Sequence, residues 1–351
     1  MADWVQYTIR AIILVLLVIV INTKVKKGSV EEKRSVEEIQ VKNDSHPSRE
    51  VIKYNIRENL NVDVRPKMRL RELPEYSNYK TFDKLIEVPK IIHQVGKSHT
   101  VSKTFQPYMQ TWLKLHPQWQ YWFWTHKDVE FFIKTRYPNF LPIFKVYNSD
   151  DHRREAFSYF LLHEFGGVYV DLDVECRKSL DEVIKKHDCT FSAEPLLHQL
   201  LEPDFLTKPH LMSNALMACL PRHAFLRHTI EFLPLHNRHK LIYKPRSTGS
   251  LMLEDSLETF LKTGVNKVQP FVADEKAFQP LFNPRESGSI TAICDYINKH
   301  VGGTEAFVIR AKTACVNKMT NAPNHDSLTV RHWITPKWTD KNTFNVKELV
   351  T

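Results

Sequence analysis

Apolar positions between residues 88 and 137 alternate between two spacings. Short apolar runs at residues 88–94 and 119–124 predict buried strands. Apolar side chains recur at helical intervals at residues 105–116 and 128–137, which predicts an amphipathic helix after each strand. Strands that alternate with helices indicate an α/β architecture with a largely parallel sheet.

A third helix is predicted over residues 151–165, and it ends at Gly166, a residue suited to a helix C-cap. Gly166 and Gly167 lead into a short β-branched and aromatic run that is typical of a strand, and this run ends at Asp171 and Asp173. Because side chains alternate along a strand, the two carboxylates are expected to point the same way from one sheet edge.

Paired carboxylates at a strand end suit a divalent cation. Acidic groups that face a phosphorylated ligand repel it unless a metal lies between them, so Asp171 and Asp173 predict a Mn²⁺ or Mg²⁺ cofactor. An isolated Asp-x-Asp also occurs by chance in solvated loops, so the residues around it decide its meaning.

Composition narrows the class of protein. The chain has 351 residues and a formal charge of +9, which suits nucleic acid, anionic membrane or phosphorylated ligands. No zinc-finger spacing or nucleic-acid signature is present, and the basic residues are spread along the chain, so we expect no nucleic-acid partner. One or two disulfides with one thiol left over are expected in an oxidising compartment, with the pairing open, among Cys176, Cys189, Cys219, Cys294 and Cys315.

The N-terminus carries an uninterrupted apolar run at residues 11–21 with basic residues on both sides. Extended back to Trp4, it approaches the roughly 20 residues that span a bilayer. We predict an uncleaved signal anchor at residues 1–23, and a cleaved signal peptide is the alternative. Both direct the chain into the secretory pathway, while the flanking charges leave the orientation open.

Residues 24–85 alternate Lys, Arg and Glu without a sustained apolar stripe, which predicts a largely solvated stem. The one glycosylation sequon, at Asn43, falls in this stem. The folded part is therefore expected to begin near residue 86.

Several short sequence blocks, including the Gly-Gly-Val-Tyr-Val-Asp-Leu-Asp run at residues 166–173, resemble in content and order those of a known family, the glycosyltransferases with a DXD sugar-binding region. Its members include relatives of the yeast initiating α-1,6-mannosyltransferase, inositol-phosphoceramide mannosyltransferases and animal α-1,4-glycosyltransferases. The resemblance spans roughly residues 89–338, and its most specific block is the Gly-Gly-Val-Tyr-Val-Asp-Leu-Asp run. The blocks lie at residues 89–94, 122–124, 154–162, 166–173, 213–217, 221–225, 248–250 and 332–338.

The resemblance implies a GT-A type, Rossmann-like nucleotide-sugar-binding fold at residues 86–340, followed by a tail at residues 341–351. It also implies a metal-assisted transferase that moves mannose, galactose or N-acetylglucosamine from a GDP- or UDP-sugar donor to a glycan or glycolipid, with retention at the anomeric carbon. A carboxylate nucleophile and front-face attack both stay open. The implied location is a Golgi or ER membrane, as a single-pass type II protein with a luminal catalytic domain.

Residue by residue, the resemblance implies catalytic and metal-binding roles for Asp171 and Asp173, with His332 as a further metal ligand. A structural histidine is the alternative for His332, strand-end capping for His93 and Gln94, and plain loop chemistry for residues 248–250. The implied donor-binding residues are His93, Gln94, Glu155, Gly166, Gly167, Tyr169, Asn214, Thr248 and Gly249.

Two positions depart from the family pattern. Where relatives usually carry Asp and, three residues later, Arg on the helix before the glycine pair, this chain has Glu155 and Ser158. Serine cannot supply a guanidinium fork, and Arg153 and Arg154 are expected on other helix faces. The other departure is Gly96, where an aromatic residue is common.

These departures keep two other classes open. A weakened or inactive sugar-binding relative is motivated by Ser158. A haloacid-dehalogenase-type phosphatase also places Asp-x-Asp after an apolar strand, although normally near the start of its domain.

Overall fold

The chain is analysed through a computed structural model that describes residues 62–72, 87–202, 208, 210–236, 244–263, 268–302, 306–317, 325–334 and 341–350. The predicted anchor at residues 1–23 and the sequon at Asn43 lie outside these ranges. Within these ranges, no helix is both long and apolar enough to cross a bilayer.

Eleven strands lie in the described part of the chain: β1 Met68–Arg71, β2 Ile91–Gly96, β3 Thr100–Ser102, β4 Gln120–Thr125, β5 Gly167–Val170, β6 Val174–Cys176, β7 Cys189–Ala193, β8 Met212–Cys219, β9 Phe271–Ala273, β10 Thr329–Arg331 and β11 Thr343–Asn345. Seven of them form a central mixed sheet in the order β1-β4-β2-β5-β8-β7-β9. Five strands of this sheet point in one direction, whereas β1 and β8 run antiparallel to their neighbours. The predicted α/β class with a mostly parallel sheet is therefore confirmed.

Twelve α-helices lie in the same ranges: α1 Gln106–Leu115, α2 His126–Arg136, α3 Leu141–Val146, α4 Asp150–Phe165, α5 Asp181–Lys186, α6 Leu196–Gln199, α7 Ala224–His236, α8 Lys244–Ser247, α9 Ser250–Lys262, α10 Glu275–Phe278, α11 Ser287–His300 and α12 Ala306–Asn317. The predicted strands and helices of residues 88–165 are found within three residues of their expected ends. Short 3₁₀ turns at Lys103–Phe105, Pro138–Phe140, Pro284–Glu286 and Val346–Leu349 complete the connections.

The central sheet separates two apolar cores. Trp122 and Trp124 of β4 lie in one core with Phe157 of α4. Tyr121 lies in the other core with Trp112 of α1. Because alternate residues of β4 enter opposite cores, the strand is buried throughout and apolar from Tyr121 to Trp124, as expected for a strand covered on both faces.

Helix α4 delivers the chain to the DXD strand. The hydroxyl of Ser149 accepts a hydrogen bond from His152 N–H at its start, and Gly166 ends it with a φ of 64°. A φ of this sign suits glycine, which has no Cβ to clash. The turn at Gly166 therefore sets where β5, and Asp171 after it, enters the sheet.

Two segments outside the predicted catalytic domain, one in the predicted solvated stem and one in the predicted tail, are parts of the fold. Met68–Arg71, within the predicted stem, pairs with β4 at the edge of the sheet, and Val64 is buried. Thr343–Asn345, within the predicted tail, pairs with β3 and buries Phe344. Few apolar residues are needed to add an edge strand, because backbone hydrogen bonds supply much of the pairing, so the polar composition was a poor guide to these two segments.

Two disulfides are present, Cys189–Cys219 and Cys294–Cys315. Cys189 and Cys219 are direct partners in the register of β7 and β8, and Cys294–Cys315 joins α11 to α12. The remaining thiol, Cys176, is buried. This agrees with the expectation of one or two disulfides and one leftover cysteine.

We expect Glu275→Gln to remove a pH-dependent loss of stability. Burial raises the pKa of Glu275 from 4.5 to about 7, so between these values the folded state holds a proton that the unfolded state has lost. The stability that the neutral carboxyl provides is present below pH 4.5 and is lost as the pH rises through 7. Relative to wild type, the variant should gain about 2 kcal/mol in the free energy of unfolding between pH 5 and pH 8.

Urea unfolding of both proteins at the two pH values measures this difference. Glu286→Gln, at another position outside the core, serves as the control and should show no such gain. An equal pH dependence in wild type and Glu275→Gln would contradict the expectation.

Candidate active site

Asp171 and Asp173 lie in the turn that connects β5 to β6. The sequence predicted them on the strand itself, but β5 ends at Val170, and the Val174 amide donates to the Asp171 carbonyl at 3.2 Å. Both carboxylates nevertheless face the guanidinium of Arg331. They are almost completely buried, with exposures of 7 % and 6 %.

Each carboxylate oxygen of Asp171 has a partner. Oδ1 accepts from the Tyr169 hydroxyl at 2.9 Å and from Arg154. Oδ2 accepts from Arg331 at 3.0 Å. Arg154 also donates to the Tyr169 hydroxyl at 3.1 Å, so Tyr169 positions both the carboxylate and the guanidinium.

The Asp173 carboxylate has fewer hydrogen bonds and ion pairs to offset its burial than the Asp171 carboxylate has. Its Oδ2 accepts from the Ile334 amide at 3.0 Å, and its Oδ1 lies 3.6 Å from Arg331 Nε. Burial raises the pKa of Asp173, and Arg331 offsets only part of this effect. A buried carboxylate with a raised pKa binds a further cation favourably, because the cation restores its charged form.

The backbone of the motif is held from three sides. The Asp171 amide donates to the Ala215 carbonyl at 2.9 Å, and the His332 amide donates to the Asp173 carbonyl at 2.9 Å. The Gln94 side chain donates to the Asp171 carbonyl at 3.4 Å, and Tyr121 donates in turn to Gln94. Gln94 therefore holds the backbone of the motif through the Asp171 carbonyl.

His93 points into the core. Trp124 Nε1 donates to its Nδ1 at 3.2 Å, and its Nε2 donates to the Gly166 carbonyl at 3.0 Å. Burial lowers the pKa of His93 to about 3, so the ring is neutral. Because both ring nitrogens are engaged within the protein, these contacts favour a structural role at the glycine pair over donor binding.

The other predicted donor residues form a second cluster beside the motif. The Thr248 hydroxyl donates to Glu155 Oε2 at 2.7 Å, and the Tyr159 hydroxyl donates to the Thr248 carbonyl at 2.6 Å. The Asn214 amide donates to Tyr159 at 3.2 Å. A Cβ at Gly249 would lie 3.6 Å from Glu155 Oε2. The structure thus brings Glu155, Asn214, Thr248 and Gly249 together around Tyr159, and their role in donor binding stays a prediction.

His332 lies next to the motif through its backbone, while its ring turns to other partners. Its Nε2 lies 2.9 Å from Glu175 Oε2, and the ring stacks on Tyr108 with centroids 4.2 Å apart. Within the described ranges, no group of three or more His, Cys, Asp or Glu side chains is arranged to hold a metal ion. Metal binding by His332 therefore stays a prediction.

Both departures from the family pattern have a structural explanation. Ser158 is fully buried, and its hydroxyl donates to the Glu155 carbonyl at 2.7 Å. Arg154 reaches Asp171 from one turn earlier on α4 without a shift of the helix register, because its side chain is long. At Gly96, a Cβ would lie 2.5 Å from the ring of Phe123, so that ring fills the space of a side chain.

Sequence reasoning missed Arg331 and Glu194 as parts of the site. Glu194 follows β7, is buried and pairs with His198 at 3.1 Å. Burial acts to raise the pKa of Glu194, but hydrogen bonds from His198 and Ser213 together with the charge of Arg331 hold it below the ordinary value. No strand was predicted at Cys189–Ala193 from the sequence, so the position of Glu194 at the end of a buried strand was not recognised.

The donor set suits a divalent cation. Two buried carboxylates, with a carboxylate and an imidazole nearby at Glu175 and His332, are ligand types that Mn²⁺ accepts. Asp173 accepts one hydrogen bond from the Ile334 amide and lies 3.6 Å from Arg331 Nε, so its carboxylate keeps lone pairs that a cation could use. Asp171 and Asp173 are the residues that would hold the ion.

Residues 102–190 match the family described as the glycosyltransferase sugar-binding region containing the DXD motif. The mannosyl phosphorylinositol ceramide synthase SUR1 of Saccharomyces cerevisiae is 34 % identical over 203 residues, which are 56 % of this chain and 44 % of SUR1. The inositol phosphoceramide mannosyltransferase 1 of Schizosaccharomyces pombe is 30 % identical over 50 % of this chain and 53 % of its own length. The chain thus spans about half the length of these relatives.

Among solved structures, the PaToxG glycosyltransferase matches 69 % of this chain and 90 % of its own length at 10 % identity, with a TM-score of 0.38. The galactosyltransferase LgtC matches 69 % of this chain and 86 % of its own at 11 % identity, with a TM-score of 0.35. Both TM-scores are low, so the description of the fold rests on the strand order and registers given above.

The matched region begins before α1 and ends in β7, so it contains α4, the glycine pair, Asp171 and Asp173. These are the elements on which the sequence resemblance was based, and that resemblance is confirmed. Residues 102–190 of this chain are thus similar to the sugar-binding region of the DXD glycosyltransferase family.

Proposed function

We propose that this chain is a metal-assisted, retaining hexosyltransferase that moves a sugar from a nucleotide-sugar donor to a glycolipid acceptor. The observation that carries the proposal is the pair of buried carboxylates at Asp171 and Asp173 within the matched sugar-binding region. Mannose is the first donor sugar to test, because the similar yeast proteins are named as mannosyltransferases or mannosyl-lipid synthases.

The chemistry follows from where charge develops. Cleavage of the bond from sugar to diphosphate places negative charge on the leaving oxygens, and a bound divalent cation supplies a Lewis acid for that charge. Asp171 and Asp173 would hold the ion, while Tyr169 and Gln94 fix the first of these carboxylates and its backbone. Because these groups are fixed before the donor arrives, little reorganisation is required during the reaction.

The second cluster supports the sugar-binding part of the proposal. Glu155 and Asn214 present a carboxylate and an amide on either side of Tyr159. Both are nearly buried, at 8 % and 9 % exposure, so they can bind donor hydroxyl groups with little competition from water. We assign the donor sugar to this cluster and the diphosphate to the carboxylate pair.

The remaining assignments are proposals of the same kind. A GT-A type arrangement for residues 86–340 is supported by the mostly parallel sheet, in which Asp171 directly follows the C-terminal end of β5. A signal anchor at residues 1–23 and a luminal catalytic domain in the Golgi or ER are supported by the two disulfides, since these persist in oxidising compartments.

We expect the full chain with Mn²⁺ to transfer mannose from GDP-mannose to inositol phosphoceramide. Lipid products separated by mass spectrometry measure the transfer, with UDP-galactose and UDP-N-acetylglucosamine as alternative donors. Chelation of the metal should abolish the product, and restored Mn²⁺ should recover it, because the carboxylate pair binds the donor through the cation.

The alternatives give distinct results in the same assay. Binding of a nucleotide sugar without transfer or hydrolysis would establish a non-catalytic sugar-binding protein. Phosphate release from simple phosphoesters, with no turnover of nucleotide sugars, would establish a phosphatase. Either result overturns the proposed function.

A further inference from the structure

Two buried arginines converge on one carboxylate of the site. Arg154 reaches Asp171 Oδ1 from α4, and Arg331 reaches Oδ2 at 3.0 Å from β10. The side chains of the two arginines are only 20 % and 17 % exposed. The guanidinium of Arg331 also lies 4.2 Å from the ring centroid of Trp333, which holds it in place.

The charges of this group cancel. Two guanidinium groups face two carboxylates, Asp171 and Asp173, so the four side chains have no net charge. Burial acts to lower the pKa of Arg331, but both carboxylates raise it above the ordinary value. Such neutrality is what allows four charged groups to stay buried without a bound ion.

This arrangement leaves no carboxylate oxygen of Asp171 free. A cation that binds Asp171 therefore competes with the two guanidinium groups for the same carboxylate oxygens. The displaced guanidinium remains attached to α4 or β10, a few ångströms away, and a divalent ion adds two positive charges to a group that was neutral. A displaced Arg154 keeps its weaker partner Asp151 at 3.3 Å, and its planar fork of N–H donors matches phosphate oxygens.

We propose that Arg154 and Arg331 are displaceable counter-charges that neutralise the DXD carboxylates before the cation binds and then bind the diphosphate of the donor. The inference rests on the proposed function for its second half, the diphosphate. It assigns to Arg154 the contact with phosphate that Ser158 cannot make, since Ser158 is bound to the backbone of its own helix.

The test separates the counter-charge half of the proposal from the diphosphate half, because one variant should change Mn²⁺ affinity and nucleotide affinity in opposite directions. In Arg154→Met the internal competitor of the cation is absent, so Mn²⁺ alone should bind about tenfold more tightly than in wild type. The same variant at saturating Mn²⁺ should bind GDP and UDP about tenfold more weakly, because a charged hydrogen-bond donor to phosphate is missing. Mn²⁺ binding is measured by the electron paramagnetic resonance of the free ion, and nucleotide binding by calorimetry, on the full chain.

Arg153→Met is the matched control, because Arg153 lies beside Arg154 on α4 but pairs with Asp150 and the Tyr147 carbonyl. It should change neither affinity. If circular dichroism shows that Arg154→Met does not fold, Arg331→Met is the second variant. It should likewise bind Mn²⁺ more tightly and nucleotide more weakly than wild type.

Weaker binding of both Mn²⁺ and nucleotide in the two variants would assign the arginines a purely structural role and overturn the proposal. Unchanged affinities for both would overturn it as well. If wild type binds Mn²⁺ but neither GDP nor UDP, the proposed function fails together with the phosphate half, and the Mn²⁺ measurements alone then decide the counter-charge half.

Discussion

Replacing Asp173 by asparagine is expected to lower turnover about a hundred- to a thousandfold while leaving the fold intact. Asparagine keeps the shape of the side chain and can still accept from the Ile334 amide. It removes the negative charge that would hold the cation, and loss of one such electrostatic group typically lowers kcat by about 10²–10³ or more. Steady-state transfer assays with Mn²⁺ and thermal unfolding of the same samples measure both effects.

Asp173 is a cleaner position for this test than Asp171. Removal of the Asp171 charge would leave two buried guanidinium groups without their main partner, which is destabilising by about 3–5 kcal/mol. In Asp173→Asn, Arg331 retains Asp171. The control is Asp326→Asn, a side chain that is 80 % exposed and pairs with Lys178 at the surface. Turnover within tenfold of wild type in Asp173→Asn would contradict the catalytic assignment.

Gly167→Ala is expected to destabilise the protein by about 3 kcal/mol, because it adds backbone strain to an overpacked position. Gly167 has a φ of 92°, and an added Cβ would lie 2.7 Å from the Ile91 carbonyl oxygen and 3.1 Å from His93. That oxygen belongs to β2, the direct neighbour of β5, so the clash cannot be relieved without separating the two strands. In a chain of this size the melting temperature should fall by about 4 °C.

Gly288→Ala is the matched control. Gly288 is near the start of α11, and an added Cβ meets no atom within 4 Å. Alanine is favoured over glycine in a helix, so this variant should gain about 0.5–1 kcal/mol. Calorimetric melting of the three proteins measures the contrast. Equal melting temperatures for Gly167→Ala and wild type would show that β2 and β5 can move apart at no cost.

Between residues 88 and 170, the main strands and helices could be predicted from spacing alone, because both cores of the sheet are built there from regular apolar patterns. Trp122 and Trp124 marked β4, and Phe157 and its apolar neighbours marked α4. The DXD pair was also evident, since two glycines and a β-branched run precede it. Local patterns report local structure, and each of these features is local.

Arg331 could not be predicted in the same way. It lies 160 positions after Asp171, and only the pairing of β10 with β6 brings the two together. The reach of Arg154 was misjudged for a related reason. A helical wheel places the Cα atom on a face, whereas a long side chain extends beyond that face to a partner on another element. The edge strand at Met68–Arg71 is held by backbone pairing, which leaves little trace in composition.

The pairing of β10 with β6 divides the site between two stretches of chain that can vary separately. Residues 102–190 supply the carboxylates, while the short stretch at residues 325–334 supplies Arg331, His332 and Trp333. Exchange of residues 325–334 would alter the charged and aromatic side chains that contact the DXD turn while the sequence of the turn stays the same. A library built on these ten positions would measure how far the second stretch alone sets the properties of the turn.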